Sequence, residues 1–306
     1  MIEWKNVSFK VPHGFWMRSR CIIQQLNIAL PEGTAMGLIG PNGAGKTTTI
    51  KLGAGLLRPT AGEVLIQGNP AVLPYARKEI GLMTETQYIY PLMRLREWVQ
   101  LGAELSGLTG ARLKKRVAEV LELVGLSERS DQVIRTLSKG QMQRAGLALA
   151  LVHEPSILIL DEPMSGLDPL WRFRLQKILL DFKDSGGTLL FSSHILSDLE
   201  RITDHVALIE NGKLRWKGRL KNLTREIKGY DVACRINCEY VLDELGSLVV
   251  REPQPDGSWR LSIPDDCKKN IIQLASSGRI DIEAMRPIRQ EIEEVLFGIN
   301  SDSEIN

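Results

Sequence analysis

Gly40-Pro41-Asn42-Gly43-Ala44-Gly45-Lys46-Thr47 fits the pattern G-x-x-x-x-G-K-[ST], the spacing of a loop that wraps a phosphate chain. Ala35-Met36-Gly37-Leu38-Ile39 leads into it as a short apolar run, read as a buried strand. Thr47-Thr48-Thr49-Ile50-Lys51-Leu52 follows and reads as the start of a helix. In that setting the glycines let successive backbone N–H groups converge on one concavity. The helix N-terminus adds partial positive charge beneath the phosphates. Lys46 is then expected to reach the β- and γ-phosphates, with Thr47 as a Mg²⁺ ligand and Thr48 beside it. A nucleoside triphosphate site follows, with residues 40–48 as its floor.

Outward from the loop, the pattern alternates strands with helices, which implies a parallel sheet wrapped by helices. Residues 2–9 and about 21–30 read as strands, with 11–20 an irregular insertion between them. Strands are also expected at 62–68 and 80–83. Between 94 and 153 the apolar spacing turns helical: Leu95, Trp98 and Val99 in one stretch, Leu113, Val117, Val120 and Val124 in the next. The basic run Ala111–Arg116 opens the second of these and reads as a solvated face. His153, just past a helix end, reads as a complement to the helix dipole.

Ser156-Ile157-Leu158-Ile159-Leu160 reads as the most apolar strand in the chain, and it closes on Asp161-Glu162-Pro163. Carboxylates at such a point are costly unless they face a site, and sites in parallel sheets lie at the strands' carboxyl ends. A helix at 169–183, a strand at 188–192, a helix at 195–202 and a strand at 206–209 follow, before an Asn211-Gly212 hairpin. Past about 222 the style changes to an antiparallel meander (230–237, 246–252, 258–263). It continues with a helix at 265–276, a strand at 279–285 and a helix at 288–298.

The 306 residues carry a net charge of +2, so bulk electrostatics indicate no nucleic-acid partner. Cys21, Cys234, Cys238 and Cys267 form no paired framework, Cys234 and Cys238 lack a second ligand pair, and the N-terminus does not read as a secretory leader. A reducing compartment is expected. No apolar run reaches the ~20 residues of a spanning helix, which points to a soluble chain or one peripheral to a membrane.

Leu137-Ser138-Lys139-Gly140-Gln141-Met142-Gln143-Arg144 separates the nucleotide-hydrolysing families. It resembles the signature of the ATP-binding cassette superfamily, with Lys139 in place of the usual first glycine. Asp161-Glu162-Pro163 is similar to that family's Walker B end. Ser165-Gly166-Leu167-Asp168 resembles its D-loop, and Ser192-Ser193-His194 its switch-histidine strand end. The motifs stand in the family's order over about residues 1–220.

The resemblance implies a RecA-like P-loop α/β core with an antiparallel β subdomain. It also implies a helical subdomain at about 86–153, while the change of style past 222 sets off a small α+β domain over 221–306. It implies ATP and Mg²⁺ as cofactors. ATP on Gly40–Thr48 of one protomer would be closed by Ser138, Gly140, Gln141 and Asp168 of a second copy. Asp161 would hold Mg²⁺, Glu162 would act as general base, and His194 would contact the γ-phosphate. The family's Q-loop glutamine falls on Glu85 here, expected as a further Mg²⁺ ligand, with Gln87 the alternative. Its adenine-stacking aromatic falls near Val11, where Phe9 is nearby; Phe15 or Trp16 is favoured.

The resemblance further implies a subunit of a bacterial exporter whose permease is a separate integral-membrane chain. Docking is expected around Tyr88–Met93, an apolar and aromatic loop, with the subunit on the cytoplasmic face of the membrane. The alternative is a soluble cassette ATPase acting on nucleic acid or the ribosome. Against it stand the short interval from Lys46 to Ser138 and the presence of one phosphate loop.

Overall fold

Ala35–Ile39 (β3) is buried along its whole length, as are Ile157–Leu160 (β7) and Thr188–Ser192 (β8). Strands covered on both faces have no polar side to alternate with, hence the continuous apolar runs. In this computed structural model, which describes residues 1–13, 18–86, 90–219, 227–237, 241 and 250–289, these strands form the centre of a six-stranded sheet. Ile80–Met83 (β6) and His205–Glu210 (β9) complete its parallel part, ordered β9-β3-β8-β7-β6. Lys213–Gly218 (β10) joins β9 antiparallel through Asn211 and Gly212, both at positive φ, the geometry of a tight hairpin turn.

Beside it Ile2–His13 (β1), Arg18–Leu30 (β2), Ala61–Ile66 (β4) and Asn69–Pro70 (β5) form an antiparallel sheet, ordered β2-β1-β4-β5. The expected irregular insertion at 11–20 is partly strand: Val11 pairs with Arg20, Pro12 with Ser19 and His13 with Arg18. Register shifts between Trp4 and Lys10 break the simple alternation, which hid the continuation from a local reading.

Helices Lys46–Gly53 (α1), Pro169–Asp184 (α5) and Leu196–Glu200 (α6) follow strands β3, β7 and β8. Leu95–Leu105 (α2), Gly110–Leu123 (α3) and Lys139–Leu151 (α4) make the helical region, burying Leu95, Trp98, Val99, Leu113, Val117 and Val120. Part of the basic run on α3 is solvated, with Lys115 paired to Glu119. Arg116 instead turns inward and donates to the Leu151 and Val152 carbonyls at 3.0 and 3.2 Å. That guanidinium, not His153, complements the end of α4. The His153 ring donates through Nε2 to the Ile80 carbonyl at 3.1 Å, and burial holds its pKa below the usual value. A neutral ring has no charge to set against a helix dipole, so that expectation is corrected.

The chain divides into two compact units, Met1–Leu220 and Lys221–Asn306. In the second, Ile227–Ile236 (β11), Val250–Pro253 (β12), Trp259–Pro264 (β13) and Ile280–Arg289 (β14) pair antiparallel in the order β12-β13-β11-β14. A meander would place β12 beside β11; instead β13 lies there and, among the described residues, β12 forms an edge, where Pro253 costs no ladder hydrogen bond. Lys268–Ser276 (α7) packs Ile271 and Leu274 with Val232, Leu261 and Ile263 as a separate core. The helix expected from 288 is corrected at its start, because Ile288 and Arg289 continue β14. The remainder of that segment, like Cys238, lies outside the described residues.

Candidate functional site

The carboxyl ends of β3, β7 and β8 bring the sequence motifs to one edge of the sheet. Gly40 leaves β3 pressed against the β9 backbone: a Cβ there would lie 2.1 Å from the Ile209 carbonyl oxygen. No side chain fits, and the chain is free to turn. Gly45 caps α1 with no side-chain hydrogen bond. The first-turn N–H groups of α1 are therefore not claimed by a cap. Lys46 is 7% exposed, and its ammonium donates to the Gly40 carbonyl at 2.7 Å and the Pro41 carbonyl at 3.3 Å. It stands across the mouth of its own loop, 3.9 Å from Glu162 Oε1.

Asp161 directly follows β7 and is almost fully buried. Its Oδ1 accepts a hydrogen bond from the Ser192 hydroxyl at 2.7 Å, while Oδ2 is buried without a hydrogen-bond partner. A buried carboxylate oxygen in that condition costs free energy unless a cation or donor meets it. Its chemistry suits a hard divalent cation such as Mg²⁺, which takes one or two carboxylates and completes its shell with phosphate and water. Among the described residues no three His, Cys, Asp or Glu side chains cluster to hold a metal by themselves. A cation beside Asp161 would therefore depend on the phosphates.

Glu162 follows with φ of 49°, a left-handed conformation uncommon for glutamate. Its N–H donates to Ser192 Oγ at 2.9 Å, and its carbonyl accepts from Gln143 Nε2 at 2.9 Å. The side chain accepts from His194 Nδ1 through Oε2 at 2.8 Å. His194 is set by its neighbours: the Ile195 N–H donates to Ser193 Oγ at 2.9 Å, and that hydroxyl donates to Asp198 Oδ2 at 3.3 Å. Burial raises the Asp198 pKa, and the Arg172 charge acts against the rise.

Lys46, Glu162 and His194 line an open cleft of about 490 Å³, with Asp161 buried outside its lining. The loop from Asn42 through Thr48 forms one wall, while Glu85, Glu162, Ser165 and His194 face it. Arg20 and Ile22 of β2 line a third side. Sequence reading had not placed these two; their only signal was proximity to the insertion after the first strand. Phe15, Trp16 and Gln87 lie outside the described residues.

Ser138, Gly140 and Gln141 are not in this cleft. With Gly166, Leu167 and Asp168 they line a second one, of about 410 Å³. Ser138 and Gln141 form a reciprocal capping box at the start of α4: Gln141 N–H donates to Ser138 Oγ at 3.2 Å, and Ser138 N–H to Gln141 Oε1 at 2.9 Å. Asp168 caps α5 by accepting the Trp171 N–H at 2.8 Å. The Arg144 guanidinium lies 4.0 Å from the Trp171 ring centroid and donates to the Val124 carbonyl at 3.1 Å, tying α4 to both neighbours. Gln143 and Arg144 belong to the quoted signature stretch, but their partners are distant in sequence and could not be read from it.

The family model described as "ABC transporter" matches residues 23–165. An ABC transporter ATP-binding protein of Nostoc sp. is 36% identical over 94% of this chain and 85% of its own. The linearmycin resistance ATP-binding protein of Bacillus subtilis is 33% identical over 69% of this chain and 68% of its own. The bacitracin transport ATP-binding protein of Bacillus licheniformis is 38% identical over 63% of each. Among solved structures, the ATP-binding subunit of an ABC transporter superposes with a TM-score of 0.65 at 31% identity, over 72% of this chain and 91% of that one. A dimeric ATP-binding cassette bound to ADP and Pi matches in fold, with a TM-score of 0.68 at 24% identity over 73% of this chain and all of that one.

Proposed function

The chain belongs to the ABC transporter family as an ATP-binding, ATP-hydrolysing subunit, and from that premise we propose how its two clefts divide the work. ATP lies on residues 40–48, with Lys46 moving its hydrogen bonds from the Gly40 and Pro41 carbonyls to phosphate oxygens. Thr47 and the free Asp161 oxygen would hold Mg²⁺, with Glu85 as a third candidate ligand, and the cation would supply charge neutralisation on the phosphates. Glu162 polarises the attacking water, and His194 holds that carboxylate while reaching toward the γ-phosphate.

The observation that carries the reading is the separation of the two groups. Lys46, Glu162 and His194 share one cleft, while Ser138, Gly140, Gln141 and Asp168 line another. Each chain then offers half of two sites. Residues 138–141 and Asp168 of a second copy close on the γ-phosphate held by the first, and the capped start of α4 brings partial positive charge to it. Phosphoryl transfer needs positioning and charge neutralisation, which two chains meeting on one phosphate can supply.

Among the described residues no helix is long and apolar enough to cross a membrane. In our reading the permease is a separate chain, and this subunit sits on the cytoplasmic face of the membrane through it. Tyr90 and Leu92 support docking there, being 60% and 75% exposed in the loop before α2. Tyr88 and Ile89 lie outside the described residues. The loop is tied to the segment that leads into Ser138: Ile134 N–H donates to the Met93 carbonyl at 3.0 Å, and Arg135 N–H to the Pro91 carbonyl at 3.1 Å. A push at Tyr90–Met93 thus has a short path to the second cleft. Relatives named for resistance to linearmycin, transport of bacitracin and export of Nod factor favour export as the direction. Co-purification of a membrane chain from detergent-solubilised membranes, lost on combining Tyr90→Asp with Met93→Asp, is the expected result. Undiminished association would overturn the docking site.

A further inference from the structure

Glu162 keeps a left-handed backbone because two other elements hold it there. The Ser192 hydroxyl at the end of β8 accepts its N–H, and the Gln143 amide on α4 donates to its carbonyl, each at 2.9 Å. Gln143 is 4% exposed, so water cannot readily take over its side of that bond. A glutamate at φ 49° relaxes toward commoner conformations when such support is removed. Its carboxylate would then swing from His194 Nδ1 and from Lys46, to which it now stands at 2.8 and 3.9 Å. Gln143 also stands little more than one turn beyond Ser138, on the helix opened by the Ser138–Gln141 capping box.

We propose that Gln143 is a positioning residue acting in cis: it fixes the backbone of its own chain's Glu162 from the helix whose tip serves the other chain's ATP. This rests on the reading above, in which Glu162 is the general base and Ser138 closes the partner's site. One helix then contributes to both ATP sites of a dimer, by its N-terminus in trans and by Gln143 in cis.

Gln143→Glu keeps the shape and, when ionised, removes the donor; Gln143→Met keeps the bulk without it. For both, kcat for ATP is expected to fall about tenfold or more while KM and nucleotide affinity stay within about twofold, the mark of misaligned chemistry rather than lost binding. Parental turnover, or affinity lost in step with kcat, would overturn the proposal. Mixed dimers separate positioning from general damage to α4. With Glu162→Gln in one protomer, only the other protomer's site turns over. Gln143→Glu should then be damaging when it sits in the competent protomer. Ser138→Ala, the control for the two-chain reading, should be damaging when it sits in the Glu162→Gln protomer. If Gln143→Glu follows the Ser138→Ala arrangement, it acts through the signature and the proposal fails. If Ser138→Ala itself damages from the competent protomer, the two-chain reading fails instead.

Discussion

His194 Nδ1 lies 2.8 Å from Glu162 Oε2, while the other oxygen of that carboxylate stands 3.9 Å from Lys46 Nζ. Residues from the end of β8, the end of β7 and the start of α1 thus meet on one carboxylate at the mouth of the phosphate loop. The imidazole donates through Nδ1, which leaves Nε2 as the ring atom available to a ligand.

Glu162→Gln keeps the size of the side chain and removes its basicity. Turnover is expected to fall by about 10²-fold or more, the scale of a lost general base. ATP affinity should change little, because the phosphate loop is untouched. Size-exclusion chromatography with ATP should show the variant accumulating as a dimer. Phosphate release at the parental rate would remove Glu162 from the role of base.

Asp161→Asn tests the orphaned Oδ2 as a metal ligand. Asparagine can still meet the Ser192 hydroxyl but offers no charge to a divalent cation. The Mg²⁺ concentration for half-maximal ATPase activity is expected to rise about tenfold or more, with chelation by EDTA stopping the parental enzyme altogether. An unchanged Mg²⁺ titration would place the cation elsewhere.

His153 predicts a pH effect away from the cleft. Burial holds its pKa below the usual 6.5, so the folded ring resists protonation while the unfolded chain accepts it. Stability is therefore full above about pH 6.5 and falls as pH drops from there toward the lowered folded value, the unfolded state binding more protons across that window. His153→Gln keeps a donor for the Ile80 carbonyl and cannot titrate. The fall in Tm between pH 7.5 and 5.5 should be shallower in the variant. Identical slopes would exclude His153 as the titrating group.

Much of the fold is legible without coordinates because it is written in contiguous strings. Residues 35–39 and 157–160 carry no polar side chain, as only doubly covered strands need to, and each runs directly into a phosphate-loop or carboxylate motif. The capping box of Ser138 and Gln141 and the Asn211-Gly212 turn are equally local. What stayed hidden depends on pairing across the chain. The strand at 11–13 is made by its partners at 18–20, and the edge position of β12 by β13 lying against β11. His153 and Arg116 exchanged their expected relation to the end of α4, because that depended on which side chain the packing of α3 turned inward.

At the site the same division holds. Sequence alone determined the types of chemistry present: a phosphate loop, a carboxylate pair, a histidine at a strand end. Only the tertiary structure decided that Asp161 would keep one oxygen unpartnered, and that Glu162 would be held in a left-handed turn between Ser192 and Gln143. It also decided that the signature residues would line a different cleft from Lys46. Hydrogen-bond geometry acts over about 3 Å and is indifferent to distance along the chain, so those relations exist only once the sheet has brought its strand ends together.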